Sequence, residues 1–465
     1  MTGRLVQYAV SSDEVATVRA SSTAARSADA GESSILSRPV KLAIIATVPE
    51  TVMSFLVEQI RFLTTEGFEV HIITSPGLEE FPGHSELRGT RHDIVMTRAI
   101  NPFADLKALV QLWRLLRKIR PTIVQTRTPK AGLLGMIASC FARVPIRIYT
   151  VDGLPITSQR GLGRILFAIT DWISCRLATE VLCVSRSVRR FLIANGFAGS
   201  NKARVLGSGH LRGVDIEKFD PEADTGAKRT RIRNRYGIPL DSPVIGYIGR
   251  LVPDKGVAEL AAAWETLRAE FASAHLFLCG YFESVHPVPS QLAEKLTNDP
   301  RVHLTGKWLN DMPAVYAAVD VCVLPTYREG LSTVAIECGA MRVPIVATRV
   351  PGCVDAVRNG VTGLLVKPRD AEALIVAIRE LLEDPGLRVR IGFAAREFIS
   401  NRFSEHKTAV RVLGEYRRLI ETRFGRQSAK GRVAAQAGDW SANLFGRDQT
   451  AEVPPAQEQV HRAAQ

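Results

Sequence analysis

Residues 320–348 read DVCVLPTYREGLSTVAIECGAMRVPIVAT, and this stretch decides the fold that the sequence predicts. Its ends, 320-DVCVLP and 344-PIVAT, are short apolar runs typical of strands buried on both faces. The segment between them, residues 332–341, has the length and pattern of a helix. A strand, a helix and a second strand in this order predict a βαβ unit, in which the two strands are parallel.

The same alternation of strands and helices extends over most of the chain. Further strand-like runs of the second half are 243-PVIGYIG, 275-HLFLCG, 302-VHLTG and 363-GLLV. Those of the first half are 41-KLAIIAT, 69-EVHIIT, 122-TIVQT, 145-PIRIYTV and 179-TEVLCV. Helical patterns separate the runs, most clearly at 104–120 before Pro121. Two such series predict an α/β protein with two Rossmann-like, doubly wound parallel sheets that face a cleft.

Composition changes mark the expected boundaries. Residues 205–224, VLGSGHLRGVDIEKFDPEAD, form the predicted linker. An amphipathic segment that begins at Ser404 has no strand after it, so we expect it to cross back to the first domain. The predicted regions are a disordered tail at 1–38, a first Rossmann-like domain at 39–222, a second at 223–400, a crossing helix at 401–424 and a disordered tail at 425–465.

Composition narrows the class of protein. The chain has 465 residues, of which 46% are hydrophobic and 23% charged, which is typical of a globular protein of two or three domains. No apolar run reaches the ~18–20 residues that span a bilayer, and the first residues lack the apolar core of a signal peptide. The seven cysteines are scattered singly, which disfavours disulfides and thiolate zinc sites. We therefore expect a cytoplasmic protein.

Positive charge is concentrated in one part of the chain. Residues 101–210 carry 17 Lys and Arg against four acidic residues, an excess equal to the whole net charge of +13. No basic motif with interleaved aromatic residues appears there, so we do not expect a nucleic acid partner. The basic residues of 104–120 are either a solvated face or a surface that attracts anionic lipid head groups.

The segment 249-GRLVPDKGV places two cations at a strand end. Arg250 follows the predicted strand, and Lys255 precedes the next helix. Ligands of open α/β sheets bind at the carboxyl ends of the strands, and a helix N-terminus adds free N–H groups. Two cations there suit a diphosphate. The alternative is a surface turn whose charges point to water.

A second segment, which starts at Pro325, places two acids eight residues apart. Glu329 lies just before a predicted helix start near Ser332, and Glu337 lies in that helix. Gly330 allows backbone amides to approach a phosphate closely. Carboxylates accept hydrogen bonds from sugar hydroxyls, so this pattern suits a nucleotide-sugar. The alternative is a capping acid followed by an exposed helical glutamate.

Together the two segments resemble the retaining glycosyltransferases of family 4, which have the GT-B fold. The family signature pairs GR…KG with a later P-x-x-x-EG-x-x-x-x-x-x-E, and 351-PGCVDAVRNGVTGLLV is similar to its next conserved block. The segments 130-KAGLLG, 149-YTVDGL and 207-GSGHLRGVD are similar to the subgroup of capsular and exopolysaccharide enzymes. The resemblance runs from about residue 40 to residue 424.

The resemblance implies roles for the residues of both segments. Arg250 and Lys255 would hold the donor diphosphate and stabilise the leaving group, and Glu329 would bind the donor sugar. Glu337 would bind the ribose. The remaining donor-side residues would be Gly249 and the three with backbone amides at the diphosphate or sugar, Gly330, Leu331 and Ser332. No DxD-type metal motif accompanies them, so metal-independent, cofactor-free transfer with retention of anomeric configuration is expected.

The acceptor side is less well marked. Arg127, Lys130 and Asp152 are the acceptor-side candidates, and a purely structural role is the alternative for each. Many relatives carry histidine where Arg127 and Asp152 stand, so no role of a family histidine transfers to this chain. The loop after the first strand, 46-ATVPETVMS, also lacks the glycine pair common in the family.

The function that the sequence predicts is transfer of a sugar from a nucleotide donor, expected to be UDP-linked, to a lipid-linked saccharide or polyprenyl-diphosphate acceptor. The pathway would be that of a bacterial surface polysaccharide, with the enzyme peripheral at the cytoplasmic face of the inner membrane. Two alternatives remain: a GT-B enzyme with a soluble acceptor, and a non-catalytic scaffold of the same fold that binds nucleic acid or membrane.

Overall fold

A computed structural model describes residues 39–425, except positions 82, 98–100, 158, 160, 210, 211 and 285. The two predicted disordered tails, 1–38 and the chain beyond residue 425, lie outside the described residues. Among the described helices, none is both long and apolar enough to cross a bilayer.

The first half of the chain forms a seven-stranded parallel sheet with the order β3-β2-β1-β4-β5-β6-β7. Its strands are β1 Lys41–Ile45, β2 Glu69–Thr74, β3 Thr90–Asp93, β4 Ile123–Thr126, β5 Ile146–Val151, β6 Glu180–Cys183 and β7 Ala203–Arg204. Its helices are α1 Pro49–Phe55, α2 Val57–Thr65, α3 Pro102–Ile119, α4 Pro129–Phe141, α5 Gly161–Leu177 and α6 Arg186–Ala194. The strand order changes direction between β1 and β4, so the loops after these two strands border a crevice.

The second half forms a six-stranded parallel sheet with the order β10-β9-β8-β11-β12-β13. Its strands are β8 Val244–Ile248, β9 His275–Cys279, β10 Val302–Leu304, β11 Val321–Leu324, β12 Ile345–Thr348 and β13 Leu364–Val366. Its helices are α7 Thr225–Arg235, α8 Val257–Glu270, α9 Ser290–Thr297, α10 Met312–Ala317, α11 Thr333–Ala340, α12 Cys353–Ala356, α13 Ala371–Glu383 and α14 Pro385–Arg402. Here the strand order changes direction between β8 and β11.

The predicted fold class, α/β with two parallel sheets, is confirmed. The apolar runs became strands because their side chains are buried on both faces; every residue of β4, β8, β11 and β12 is buried. Two edge strands were missed. β3 reads TRHD and is largely exposed, and β7 has only two residues, so neither carries an apolar signal.

The chain passes between the two halves twice, and the two passages are hydrogen-bonded together. The Val214 N–H donates to the Phe403 carbonyl at 2.8 Å, and the Glu405 N–H donates to the Val214 carbonyl at 2.9 Å. The last helix, α15 Glu405–Phe424, then packs against the first half. Its buried Tyr416 hydroxyl lies 2.6 Å from Gln125 Oε1 in β4, so this helix belongs physically to the first domain.

Candidate functional site

The turn after β8 presents the first predicted cation. The Gly249 N–H donates to the Cys279 carbonyl at 3.0 Å and continues the sheet. The Tyr247 hydroxyl donates to the Arg250 carbonyl at 2.7 Å and fixes the turn. A Cβ at Gly280 would lie 1.9 Å from the Gly249 carbonyl oxygen, so the neighbouring strand end must also be glycine. Backbone packing therefore positions Arg250.

The second cation reaches the site because its loop packs directly on the loop after β11. Gly256 has φ +71°, and a Cβ there would lie 2.1 Å from the Pro325 carbonyl oxygen. Just beyond it, the Tyr327 N–H donates to the Asp254 carbonyl at 2.9 Å. Only glycine allows this approach, which brings the two predicted segments side by side.

Lys255 and Glu329 form an ion pair across these two loops. The distance from Lys255 Nζ to Glu329 Oε1 is 2.5 Å, and the side chains are only 20% and 16% exposed. A second pair joins the same loops, because Arg328 Nε donates to Asp254 Oδ2 at 2.8 Å. The structure therefore brings together the predicted lysine and the first predicted glutamate, which are 74 residues apart in sequence.

Gly330 lies where the two halves of the protein meet. A Cβ at this position would lie 1.7 Å from the Asp152 carbonyl oxygen of the first half. Two residues later Ser332 caps α11, and its hydroxyl accepts a hydrogen bond from the Ala335 N–H at 3.2 Å. The free N–H groups at the start of α11 thus lie at the junction.

The loops enclose a cavity of about 370 Å³ between the two halves. From the second half it is lined by the predicted residues Gly249, Arg250, Lys255, Glu329, Gly330, Leu331 and Ser332. From the first half it is lined by Thr51, Phe55, Arg127, Thr128, Asp152, Val184 and Arg212, and Trp308 of the second half adds an aromatic wall. Helix α1, which follows β1, and the loops after β4, β8 and β11 all contribute, so the cavity joins both points at which strand order changes direction.

Arg127 and Asp152 form a two-bonded ion pair on the first-half side of the cavity. Arg127 Nε donates to Asp152 Oδ2 at 2.9 Å, and Arg127 Nη2 donates to Asp152 Oδ1. The arginine side chain is 4% exposed, and its Nη1 has no hydrogen-bond partner among the described residues. A buried guanidinium donor without a partner is rare in folded proteins.

Two predicted residues are not among those that line the cavity. Lys130 Nζ binds both carboxylate oxygens of Asp105 in α3, at 2.7 and 3.0 Å. Glu337 is 8% exposed and accepts a hydrogen bond from the Tyr316 hydroxyl at 2.8 Å. Burial raises the pKa of Glu337, and the nearby positive charge of Arg212 opposes that rise. Arg212 lines the cavity, so Glu337 adjoins the site through this arginine.

The cations are internally paired. Arg250 Nη1 lies 2.6 Å from Glu283 Oε2. Lys255 is paired in the same way with Glu329. These carboxylates offset positive charge that would otherwise destabilise the loops. An anionic ligand would compete with them for the same donors. Within the described residues, no group of three His, Cys, Asp or Glu is arranged to hold a metal ion.

Sequence reasoning missed several residues of the site. Arg212 lies within the predicted linker. The clue in the sequence that could have pointed to it is the pair of nearby glycines, Gly209 and Gly213, which both adopt a positive φ. Trp308 stacks edge-on against Tyr281, with ring centroids 6.2 Å apart. No periodic pattern marks either residue, because both lie in loops whose path depends on packing.

A second contact joins the two halves beside the cavity. Ser187 in α6 donates its hydroxyl to Asp355 Oδ2 in α12, and its N–H donates to the same oxygen at 3.2 Å. The Gly352 N–H donates to the Ser187 hydroxyl at 2.9 Å. These bonds hold the halves in the arrangement that encloses the cavity.

Comparison with protein families gives two matches that divide the chain as the two sheets do. Residues 53–209 match the model described as Glycosyltransferase Family 4, and residues 228–398 match Glycosyl transferases group 1. The boundary between them falls in the segment that links β7 to α7.

Individual relatives cover most of the chain. The Staphylococcus aureus capsular polysaccharide biosynthesis glycosyltransferase CapM is 36% identical over 347 residues, which are 74% of this chain and 89% of that protein. An Escherichia coli UDP-Gal:alpha-D-GlcNAc-diphosphoundecaprenol alpha-1,3-galactosyltransferase is 26% identical, with 75% and 90% covered. The Anabaena protein HepE, solved with UDP-glucose, has a TM-score of 0.67 at 19% identity, with 81% and 99% covered.

Proposed function

Since the chain belongs to glycosyltransferase family 4, we propose that it transfers a sugar from a UDP-sugar to a lipid-linked saccharide or polyprenyl-diphosphate acceptor in the synthesis of a bacterial surface polysaccharide. One observation carries the proposal: a single cavity is lined by Arg250, Lys255 and Glu329 on one side and by the Arg127–Asp152 pair on the other. The named relatives act in capsule synthesis and on a diphosphoundecaprenol acceptor, which supports the same class of pathway.

The donor is proposed to bind on the second-half side. Its diphosphate would take Arg250 and Lys255 from their partners Glu283 and Glu329, since two phosphate charges compete well for charge-assisted hydrogen bonds. As the bond to the sugar breaks, negative charge develops on the leaving phosphate, and both cations already lie where that charge appears. Such preorganised charges are worth about 2.7–4 kcal/mol per donor in a water-excluded site.

Release of Lys255 to the diphosphate would free the Glu329 carboxylate for the donor sugar. Its oxygens can then accept hydrogen bonds from two sugar hydroxyls, while the Gly330, Leu331 and Ser332 amides approach the sugar or the diphosphate. Trp308 offers an aromatic face to the nucleobase. Glu337, beside Arg212, is proposed to bind the ribose. The internal ion pairs thus hold, before the donor binds, the same charged groups that the donor would engage.

Retention of anomeric configuration is proposed from the state of the cavity carboxylates. Among the described lining residues these are Asp152, which is held by Arg127, and Glu329, which would bind hydroxyls of the donor sugar once Lys255 is released. Inversion needs a free base that deprotonates the acceptor on the face opposite the leaving group. With both carboxylates engaged, the leaving diphosphate itself is the base that can take the acceptor proton, on its own face of the sugar.

The acceptor is proposed to enter from the first-half side. Arg127, which lines the cavity, would bind its reacting sugar or its diphosphate, with Asp152 holding the guanidinium in place. The concentration of positive charge in residues 101–210 favours an anionic lipid carrier and peripheral contact with anionic lipids. Lys130 stays an acceptor-side candidate at the start of α4, three residues after Arg127.

A transfer assay tests the proposal directly. The purified chain is incubated with UDP-sugars and a polyprenyl-diphosphate-linked monosaccharide, with and without EDTA, and the product is analysed by NMR. We expect an α-linked product from an α-linked donor, at a rate that EDTA does not change, because Arg250 and Lys255 supply the positive charge at the diphosphate. A β-linked product would contradict retention, and loss of activity with EDTA would contradict metal independence.

A further inference from the structure

Helix α5 carries a stripe of apolar side chains on its outward, solvent-exposed face. Its outward face carries five large apolar side chains with exposed fractions between 41% and 84%: Leu162, Ile165, Leu166, Ile169 and Trp172. Their spacing of three and four residues places them in one stripe along the helix. Scattered exposed apolar residues are normal, but a continuous stripe of this kind marks an interaction surface.

The inward face of the same helix combines polar side chains with the apolar Phe167, Ala168 and Leu177, and a hydrogen bond to the sheet fixes it there. Thr170, Asp171, Ser174 and Cys175 are buried. The Tyr149 hydroxyl donates to Asp171 Oδ1 at 2.7 Å, and the Ser174 hydroxyl donates to the Thr170 carbonyl at 2.7 Å. Burial raises the pKa of the Asp171 carboxyl to about 6, although the hydrogen bond from Tyr149 opposes that rise. Rotation of the helix would break the bond between Tyr149 and Asp171, so the apolar stripe is held outward.

Basic residues lie on the same face of the sheet as the stripe. Helix α4 packs between α3 and α5 on that face. Helix α3, on the far side of α4, exposes Lys107, Arg114, Arg117 and Lys118. It also exposes Phe103 and Leu106 in its first turns, at 88% and 59%. On α5 itself, the Arg176 guanidinium lies over the Trp172 ring at 5.8 Å, an arrangement suited to a membrane interface.

The stripe is directly connected to the cavity. Helices that join parallel strands begin at the carboxyl ends of those strands, which is the cavity edge of the sheet. The first turns of α3 and α5 therefore lie on that side, with Phe103 and Leu162 among them. Only the segment 153–160 separates Asp152, which lines the cavity, from the start of α5.

We propose that the outward stripe of α5 inserts into the surface of an anionic bilayer, with the basic face of α3 against the lipid phosphates. A lipid-linked acceptor could then enter the cavity past Asp152 while its polyprenyl chain stays in the membrane. This inference rests on the proposed lipid-linked acceptor for its purpose, but the binding of α5 to lipid is independent of transfer. Charge complementarity selects the bilayer, because a second copy would bring the same excess of positive charge against this face.

Vesicle flotation with neutral vesicles and with vesicles containing anionic phospholipid tests the surface. The full chain is expected to float with anionic vesicles. The triple variant Leu162→Ser, Ile165→Ser, Ile169→Ser should bind them at least about tenfold more weakly, because it loses three of the apolar side chains that insert into the bilayer. The matched control changes three apolar residues of the second half that are each more than half exposed, Val361→Ser, Val376→Ser and Val389→Ser. It should bind as the wild type does.

Two further measurements distinguish insertion from self-association and from misfolding. Brominated lipids should quench the fluorescence of the wild type more than that of Trp172→Phe, since only an inserted Trp172 meets the acyl chains. The triple variant should keep the wild-type melting temperature and remain monomeric if folding is intact. Equal flotation of the triple variant and the wild type would overturn the proposal, as would a dimer in the wild type that the triple variant loses. Vesicle binding without transfer would refute the proposed function instead.

Discussion

Replacing Lys255 with alanine should lower kcat/KM for sugar transfer by about a hundredfold, the usual cost of one preorganised donor at a developing charge. The substitution removes a cation from the proposed diphosphate site. It also leaves the Glu329 carboxylate, only 16% exposed, without its partner beside an anionic donor. Both effects weaken donor binding and the transition state together. Steady-state kinetics with the donor varied at fixed acceptor measure the loss.

The chain provides a matched control for this variant. Lys295 Nζ also lies 2.5 Å from a glutamate oxygen, that of Glu265, but these side chains are 54% and 61% exposed and lie outside the cavity. Exposed pairs contribute about 0–1 kcal/mol, so Lys295→Ala should leave transfer within about twofold of wild type. Similar kinetics for Lys255→Ala and wild type would mean that Lys255 does not act on the donor.

Gly330→Ala should abolish most activity without unfolding the protein. The new methyl group would meet the Asp152 carbonyl oxygen at 1.7 Å, so the two halves must separate or the loop that carries Glu329 must move. Misplacement of reacting groups by 1 Å can cost about 10²-fold in rate, and we expect a loss of that size in kcat. Kinetics at saturating donor, together with thermal melting, separate this effect from instability.

Gly414→Ala is the control for the glycine variant. Gly414 lies in α15, and nothing stands within 4 Å of a Cβ built there. Alanine in a helix interior is more favourable than glycine by about 0.5–1 kcal/mol, so this variant should melt slightly higher and retain full transfer. Wild-type kcat in Gly330→Ala would show that the contact with Asp152 is not needed in the active arrangement.

The fold could be predicted from the sequence because the buried strands of parallel sheets carry a strong apolar signal. Strands such as 321–324 and 345–348 are buried on both faces and stand out from their surroundings. The edge strands β3 and β7 gave no such signal. The outward orientation of the α5 stripe could not be predicted either, because a stripe of apolar residues normally indicates burial. Only the packing of α5 against α4 in the folded protein shows that the stripe faces outward.

More of the cavity lining could be predicted from the sequence for the second half than for the first half. Arg250, Lys255 and Glu329 follow strand ends that the pattern located, and one cavity holds all three. Lys130 was a candidate because it lies in the same segment as Arg127, but its partner Asp105 comes from another helix and cannot be predicted from local sequence. Arg212 was missed for the corresponding reason: its place at the cavity depends on where the linker crosses between the halves.

The central claim is that the two predicted loops bind one nucleotide-sugar between the two halves. Isothermal titration of UDP-, GDP- and ADP-sugars into the wild type and into Arg250→Ala, Lys255→Ala and Lys130→Ala tests it most directly. We predict one site for a UDP-sugar in the wild type, affinity at least about tenfold weaker in the first two variants, and unchanged affinity in Lys130→Ala, whose ion pair lies outside the cavity lining. Equal affinity of all four proteins for the donor, or no binding of any nucleotide-sugar, would contradict the account.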